Sequence, residues 1–292
     1  MKPSKTISYL VFAIVVLATI TSLFGIFSNE GEGEYIYKSI RGEEVTIYGK
    51  GIYKHMSADV AVQGIGHDYV TFFIAIPLLI VSLIGYRRGS LRFKYLLTGT
   101  FCYFFVTFLF YSTMGMYNIM FLPYISLLAL SFFGMVSLLI SFNTDEIIEK
   151  FSNRTPVGLT AGFLIFNTVS IAILWLSIVV PPLLDGTLYP SNLEHYTTLI
   201  VQGLDLGLLL PMAFVSALLC LKRKPLGYLF TTVYFVFLSL LMTALTAKII
   251  AMAITGVNVF PVVFKIPTFN LLSIFCSFLL IKSIKKTTKF EF

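Results

Sequence analysis

Charge is scarce in this chain: 12% of its 292 residues are charged against 57% hydrophobic, and the mean hydropathy is +0.89. A soluble globule needs a polar shell that such a composition cannot supply. Cysteine is limited to Cys102, Cys220 and Cys276, with no metal-type spacing, so the sequence encodes neither a disulfide framework nor a zinc module. There is no G-x-S-x-G, Walker loop, dinucleotide fingerprint, H-E-x-x-H or H-x-x-x-H. Their absence removes the usual signatures of hydrolase, NTPase, dehydrogenase and zinc peptidase chemistry, and no cofactor is implied.

What is present is apolar length. A helix needs about 20 mostly apolar residues to cross a hydrocarbon core of ~30 Å at ~1.5 Å per residue. That criterion predicts spans over residues 7–27, 69–86, 95–113, 119–142, 158–180, 198–221, 226–252 and 267–284. They leave no room for a soluble catalytic domain. The expected fold is all-α, a polytopic membrane bundle of about eight transmembrane helices. The first segment has the basic start of a signal peptide, but its apolar run from Ile7 to Phe27 is long and no A-x-A-like site follows, so an uncleaved first span is expected.

The net charge of +7 and pI of 9.2 are explained by topology and not by nucleic acid. Lys2 and Lys5 precede the first span, Arg87, Arg88, Arg92 and Lys94 follow the second, Lys222, Arg223 and Lys224 follow the sixth, and Lys282, Lys285, Lys286 and Lys289 end the chain. Lys150 and Arg154 lie in the loop after the fourth span. The positive-inside bias places these loops, and both termini, in the cytoplasm.

Residues 28–68 then form an outer segment in which Tyr35-Ile36-Tyr37 and Val45-Thr46-Ile47-Tyr48 flank Arg41-Gly42-Glu43-Glu44. This pattern predicts a short β-hairpin with Gly42 in the turn, and Ser57 is a candidate helix N-cap. The mixed-charge loop 143–157 reads as a cytoplasmic linker between two four-helix halves, 1–142 and 158–292. Val62-Gln63-Gly64 at the second span recurs as Val201-Gln202-Gly203 at the sixth, each followed by an aspartate (Asp68, Asp205), a proline (Pro77, Pro211) and a basic loop. Asn118 and Pro123 are loosely echoed by Asn258 and Pro261. The Gln-to-Asp spacing differs between the copies, so the match needs gaps. An internal repeat, 4+4 and parallel because an even number of spans separates the copies, is the hypothesis that follows.

Ionisable groups inside spans are expensive and mark sites. Here Gln63, His67, Asp68, His195, Gln202, Asp205 and Lys248 are the ligand-binding candidates, gathered near the outer face. Helical spacing puts Gln63 and His67 on one stripe, and His195, Thr198, Gln202 and Asp205 on another, able to face a shared cavity. Three readings compete. In a structural one, Asp68 or Asp205 pairs with Lys248 and the histidines sit at the aqueous interface. In a second, the two elements bind or transport a small polar solute or couple to a proton, although no Gly- or Pro-broken helix is evident at the midplane. In a third, His67, Asp68, His195 and Asp205 hold a metal in a membrane-embedded hydrolase.

The run Tyr48-Gly49-Lys50-Gly51-Ile52-Tyr53, then Gly66-His67-Asp68-Tyr69-Val70-Thr71, and the stretch from His195-Tyr196-Thr197-Thr198 through Asp205 resemble a pattern in an uncharacterised group of bacterial multi-pass membrane proteins. The resemblance implies a bacterial plasma membrane and no mechanism. Solute binding or transport therefore ranks first. A sensor or assembly factor using the outer segment ranks second and the metal-dependent hydrolase third, with the lipid bilayer as the one certain partner.

Overall fold

The structure, a computed structural model, describes residues 4–285; Lys2, Lys286 and Lys289 of the basic clusters lie outside the described residues. Among the described residues eight helices are long and apolar enough to cross a membrane: α1 Lys5–Phe27, α2 Ala58–Arg87, α3 Leu91–Thr113, α4 Phe121–Ile140, α5 Val157–Asp185, α6 Ile200–Leu221, α7 Pro225–Ile254 and α8 Val262–Ser283. This is the architecture of a polytopic membrane bundle. Three boundaries differ from the sequence-based ranges by five residues or more, and one of them is the end of α5, at Asp185 rather than 180. The helix of α2 starts at Ala58 and not at 69, because Gln63, Gly64, His67 and Asp68 dilute the hydropathy of its first three turns without breaking the backbone. The helix of α8 starts at Val262 and carries Pro267 inside it.

Helices α3 and α7 pack side by side at the centre, with α2, α4, α6 and α8 against them; α1 packs on α2 and α4, and α5 mainly on α6. Lipid offers no hydrophobic gain for helix association, so close packing and hydrogen bonds between helices must hold such a bundle. The deepest side chains accordingly belong to α3 and α7, with Tyr95, Phe101, Tyr103, Phe104, Phe108 and Phe235 fully buried. Polar pairs stitch neighbouring helices: Thr231 Oγ1 of α7 donates to the Ser216 carbonyl of α6 at 2.9 Å, and Thr243 Oγ1 donates to Asn270 Oδ1 of α8 at 3.2 Å.

The two ends of the bundle differ. At the basic end, Arg92 donates to the carbonyls of Lys282 and Ile284, Lys285 N–H donates to the Lys150 carbonyl, and Lys94 lies 3.7 Å above the Phe142 ring. The linker and the end of the described chain are thereby closed onto α3. Among the described residues the only ion pair is Lys150 with Glu146, at 3.1 Å.

The opposite end carries the expected hairpin, β1 Tyr35–Lys38 antiparallel to β2 Glu44–Ile47, with Tyr35 opposite Ile47 and Lys38 opposite Glu44. Gly42 turns the chain at φ +87°, a conformation side chains disfavour. Ser57 is the N-cap of α2 but makes no side-chain capping bond; the Tyr196 hydroxyl accepts from its backbone N–H at 3.2 Å. Arg41 reaches from the hairpin turn to the carbonyls of Glu194 and Tyr196, at 3.0 and 2.9 Å. The segment before α2 is thus clamped onto the loop between α5 and α6.

Candidate functional site

Both α2 and α6 are interrupted. Over Thr71–Ala75 and Asp205–Leu209 the backbone widens to a π turn, with Ile76 N–H bonding the Thr71 carbonyl and Leu210 N–H bonding the Asp205 carbonyl. The cause lies just downstream. Pro77 and Pro211 have no N–H and their rings crowd the carbonyl one turn back, and a wider turn relieves that crowding without breaking the helix. Both helices remain unbroken, as expected, but the prolines alter the spans by bulging them.

These bulges also give a second register in which the two halves can be compared, one without gaps. One constant separation relates the π turns (Thr71 to Asp205), the prolines (Pro77 to Pro211), the left-handed residues Gly89 and Arg223 that end the basic loops, and the starts of the following helices, Leu91 and Pro225. In that ungapped register Asp68 stands opposite Gln202, and Asp205 stands opposite Thr71. In this register the two aspartates do not face each other.

The first polar element is enclosed. Asp68 is 5% exposed and accepts from Tyr53 Oη at 2.5 Å and from Tyr111 Oη at 2.9 Å, one hydroxyl on each carboxylate oxygen. Tyr53 comes from the short turn Gly51–Tyr53 before α2, where burial, then the neighbouring Asp68, hold its hydroxyl well above the ordinary phenol range. The fourth wall is α1 at Gly25: a Cβ there would fall 1.7 Å from Asp68 Oδ2. Only glycine leaves space for the carboxylate. His67 is 4% exposed, not interfacial as expected, with Nε2 3.1 Å from both Thr107 Oγ1 and Tyr103 Oη and with Nδ1 unpartnered. Tyr103 Oη lies 2.9 Å from Thr71 Oγ1 of the π turn.

The second element is open. Asp205 and Gln202 are half-buried, Gly203 and Gly207 face open space, and α6 meets α3 only lightly, through its first turn. Asp205 accepts from Trp175 Nε1 of α5 at 2.7 Å. His195 and Thr198 precede the helix, so the proposed four-residue stripe reduces to Gln202 and Asp205. His195 instead sits in the loop, with Nε2 3.0 Å from the His55 carbonyl.

Between the two elements lies Lys248 of α7. Its backbone packs on α2, where a Cβ at Gly66 would lie 3.2 Å from the Lys248 Cα, and Asp68 and Asp205 are the two carboxylates acting on its charge. Neither comes within ion-pair distance, so the expected pairing of Lys248 with one of them is not observed. Gln63 and Gln202 likewise make no hydrogen bond among the described residues. A cavity of about 520 Å³ near this end lies between α2, α7 and the hairpin and is lined by Val62, Ile65, Glu34 and Asp59, not by Gln63 or His67. The stripes therefore do not share it.

The four groups of the metal reading are separately engaged, and among the described residues no three His, Cys, Asp or Glu side chains are placed to hold an ion. Sequence reasoning missed Tyr53, Tyr111, Tyr103 and Thr107, which resemble ordinary aromatic and small residues of a span, and it missed Gly25. Trp175 carried a signal, as the single tryptophan of the chain. No family model matches the chain, and neither a curated protein nor a solved structure matches it.

Proposed function

We propose that this protein binds a small polar solute at the hairpin end of the bundle and carries it across the membrane. The site is the space between α2, α6 and α7. The observation that carries the reading is Lys248: a lysine amid apolar helices, flanked by two carboxylates and bonded to neither. A scaffold lysine in hydrocarbon is expected to be paired, because the unpaired charge is costly. A charge held between two acids without closing on either is what a site for a polar guest requires. The π turns beside both aspartates support the same reading, since such bulges gather at functional positions and repeat-built transporters place their sites at interrupted helices.

The matched π turns, prolines and left-handed loop residues favour an internal duplication of four helices. In this reading the two halves have diverged, one becoming a sealed polar core and the other the side by which a solute enters. The basic end is the cytoplasmic one, and the family resemblance gives a bacterial plasma membrane as the setting. A second reading, a sensor or assembly role for the hairpin, is favoured by Ile36 and Ile40, which project from it at 63% and 90% exposure.

The test is a thermal-shift screen of the purified protein against amino acids, sugars and nucleosides, with Lys248→Met and Lys150→Met in parallel. The reading expects a class of solute that raises the Tm of wild type and Lys150→Met but not of Lys248→Met. If no class does so, and Lys248→Met with Asp205→Asn is more stable than either single variant, Lys248 is scaffold and the reading fails.

A further inference from the structure

We infer that Asp68 is a proton-binding site, built so that the carboxyl is fully hydrogen-bonded both with and without its proton while every heavy atom stays in place. The argument is one of donors and acceptors. Asp68, Tyr53 and Tyr111 form a closed triangle: Oδ2 to Tyr53 Oη at 2.5 Å, Tyr53 Oη to Tyr111 Oη at 3.3 Å, and Tyr111 Oη to Oδ1 at 2.9 Å. When Asp68 is ionised, Tyr53 donates to Oδ2 and Tyr111 donates to Oδ1. When it is protonated, Oδ2–H donates to Tyr53, Tyr53 rotates its hydrogen to Tyr111, and Tyr111 donates to Oδ1. The Gly64 carbonyl, 3.2 Å from Tyr111 Oη, is a spare acceptor in either state.

A hydroxyl hydrogen rotates to suit its partners, so the exchange requires one torsion, that of the Tyr53 hydroxyl, and no repacking. A purely structural buried carboxylate has a different signature, namely fixed backbone N–H donors or a cation at contact distance, and Asp68 has neither. Its titratable and charged neighbours come from each surrounding element: Tyr53 before α2, His67 beside it, Tyr103 and Tyr111 from α3, Tyr124 from α4 and Lys248 from α7. From α1 only Gly25 is presented, leaving the carboxyl its space. Lys248 is the single cation among these groups, and it also senses Asp205 on the open side.

The inference does not depend on solute transport, because the site titrates in the resting protein. It is tested by infrared difference spectroscopy between acidic and alkaline buffer, on detergent-solubilised full-length protein labelled with carboxyl-¹³C aspartate. The expected result is an isotope-shifted band of a protonated carboxyl that disappears on alkalinisation, is missing in Asp68→Asn, persists in Asp205→Asn and moves to higher frequency in Tyr53→Phe. A band that survives in Asp68→Asn belongs to another aspartate and overturns the assignment. So does the absence of any such band over the pH range in which the protein stays folded. Should Asp68→Asn fail to fold, Tyr53→Phe decides alone, and an unmoved band in that variant overturns the inference. A failed solute screen with the band present would sink the transport reading and leave the proton site intact.

Discussion

The two polar elements of this protein share a backbone and differ in everything around it. Each is a helix that widens into a π turn, meets a proline two residues later and ends in a basic loop with a left-handed residue. Around α2 stand α1, α3, α7 and the segment before α2, and Asp68 is enclosed by two tyrosines. Around α6 stand α5 and α7 with little of α3, and Asp205 is left half-buried with one indole donor. A local sequence signal thus sets the bulge, while the number of neighbours sets whether the acid beside it becomes core or surface.

The largest effect that separates the two comes from adding a methyl group. Gly25→Ala places its Cβ on the Asp68 carboxylate and should lower stability by about 3 kcal/mol or more, the upper end of overpacking costs. Gly203→Ala meets nothing and should cost nothing, or gain up to ~1 kcal/mol of helix propensity. Chemical unfolding of both variants in one detergent checks the pair. Equal losses would mean that the second element is as tightly packed as the first.

Removing each acid comes next. Asp68→Ala strips the acceptor from two buried hydroxyls and should cost about 2–3 kcal/mol, whereas Asp205→Ala leaves one partly exposed indole N–H and should cost less than ~1 kcal/mol. A reversed order in thermal melts would break the contrast between core and surface.

Accessibility sharpens it further. A cysteine at Gln202 should react with a membrane-impermeant maleimide added outside intact cells, and one at His67 should react only after unfolding. Thr46→Cys labelled from outside with Ser90→Cys silent would establish the direction assumed here, and the opposite pattern would invert the topology.

The smallest effect is optical. Trp175 is the only tryptophan, so Asp205→Asn, which weakens the 2.7 Å bond to its indole, should shift the intrinsic emission, while Asp68→Asn should leave it unchanged. A shift in both variants would show that the elements communicate through Lys248 even at rest.

Much of this was legible beforehand, for identifiable reasons. The helices follow from runs of apolar residues of bilayer length. The hairpin follows from two β-prone runs around Gly42, and the candidate site from the rarity of ionisable groups in spans. The start of α2 was misplaced because hydropathy measures polarity and not helicity, and a buried polar turn looks like the end of a span. The partners of Asp68 were illegible because Tyr53, Tyr111 and Gly25 come from three separate stretches with no shared spacing.

The sequence by itself determined the eight apolar lengths, the charge asymmetry of the two ends, and the prolines that force each bulge, since these depend only on neighbours along the chain. Only the tertiary structure decided that Asp68 closes a triangle with two tyrosines while Asp205 stays open, and that Lys248 pairs with neither. Those outcomes depend on which helices come within hydrogen-bonding reach, about 3 Å, and that distance is set by packing across the bundle rather than by order in the chain.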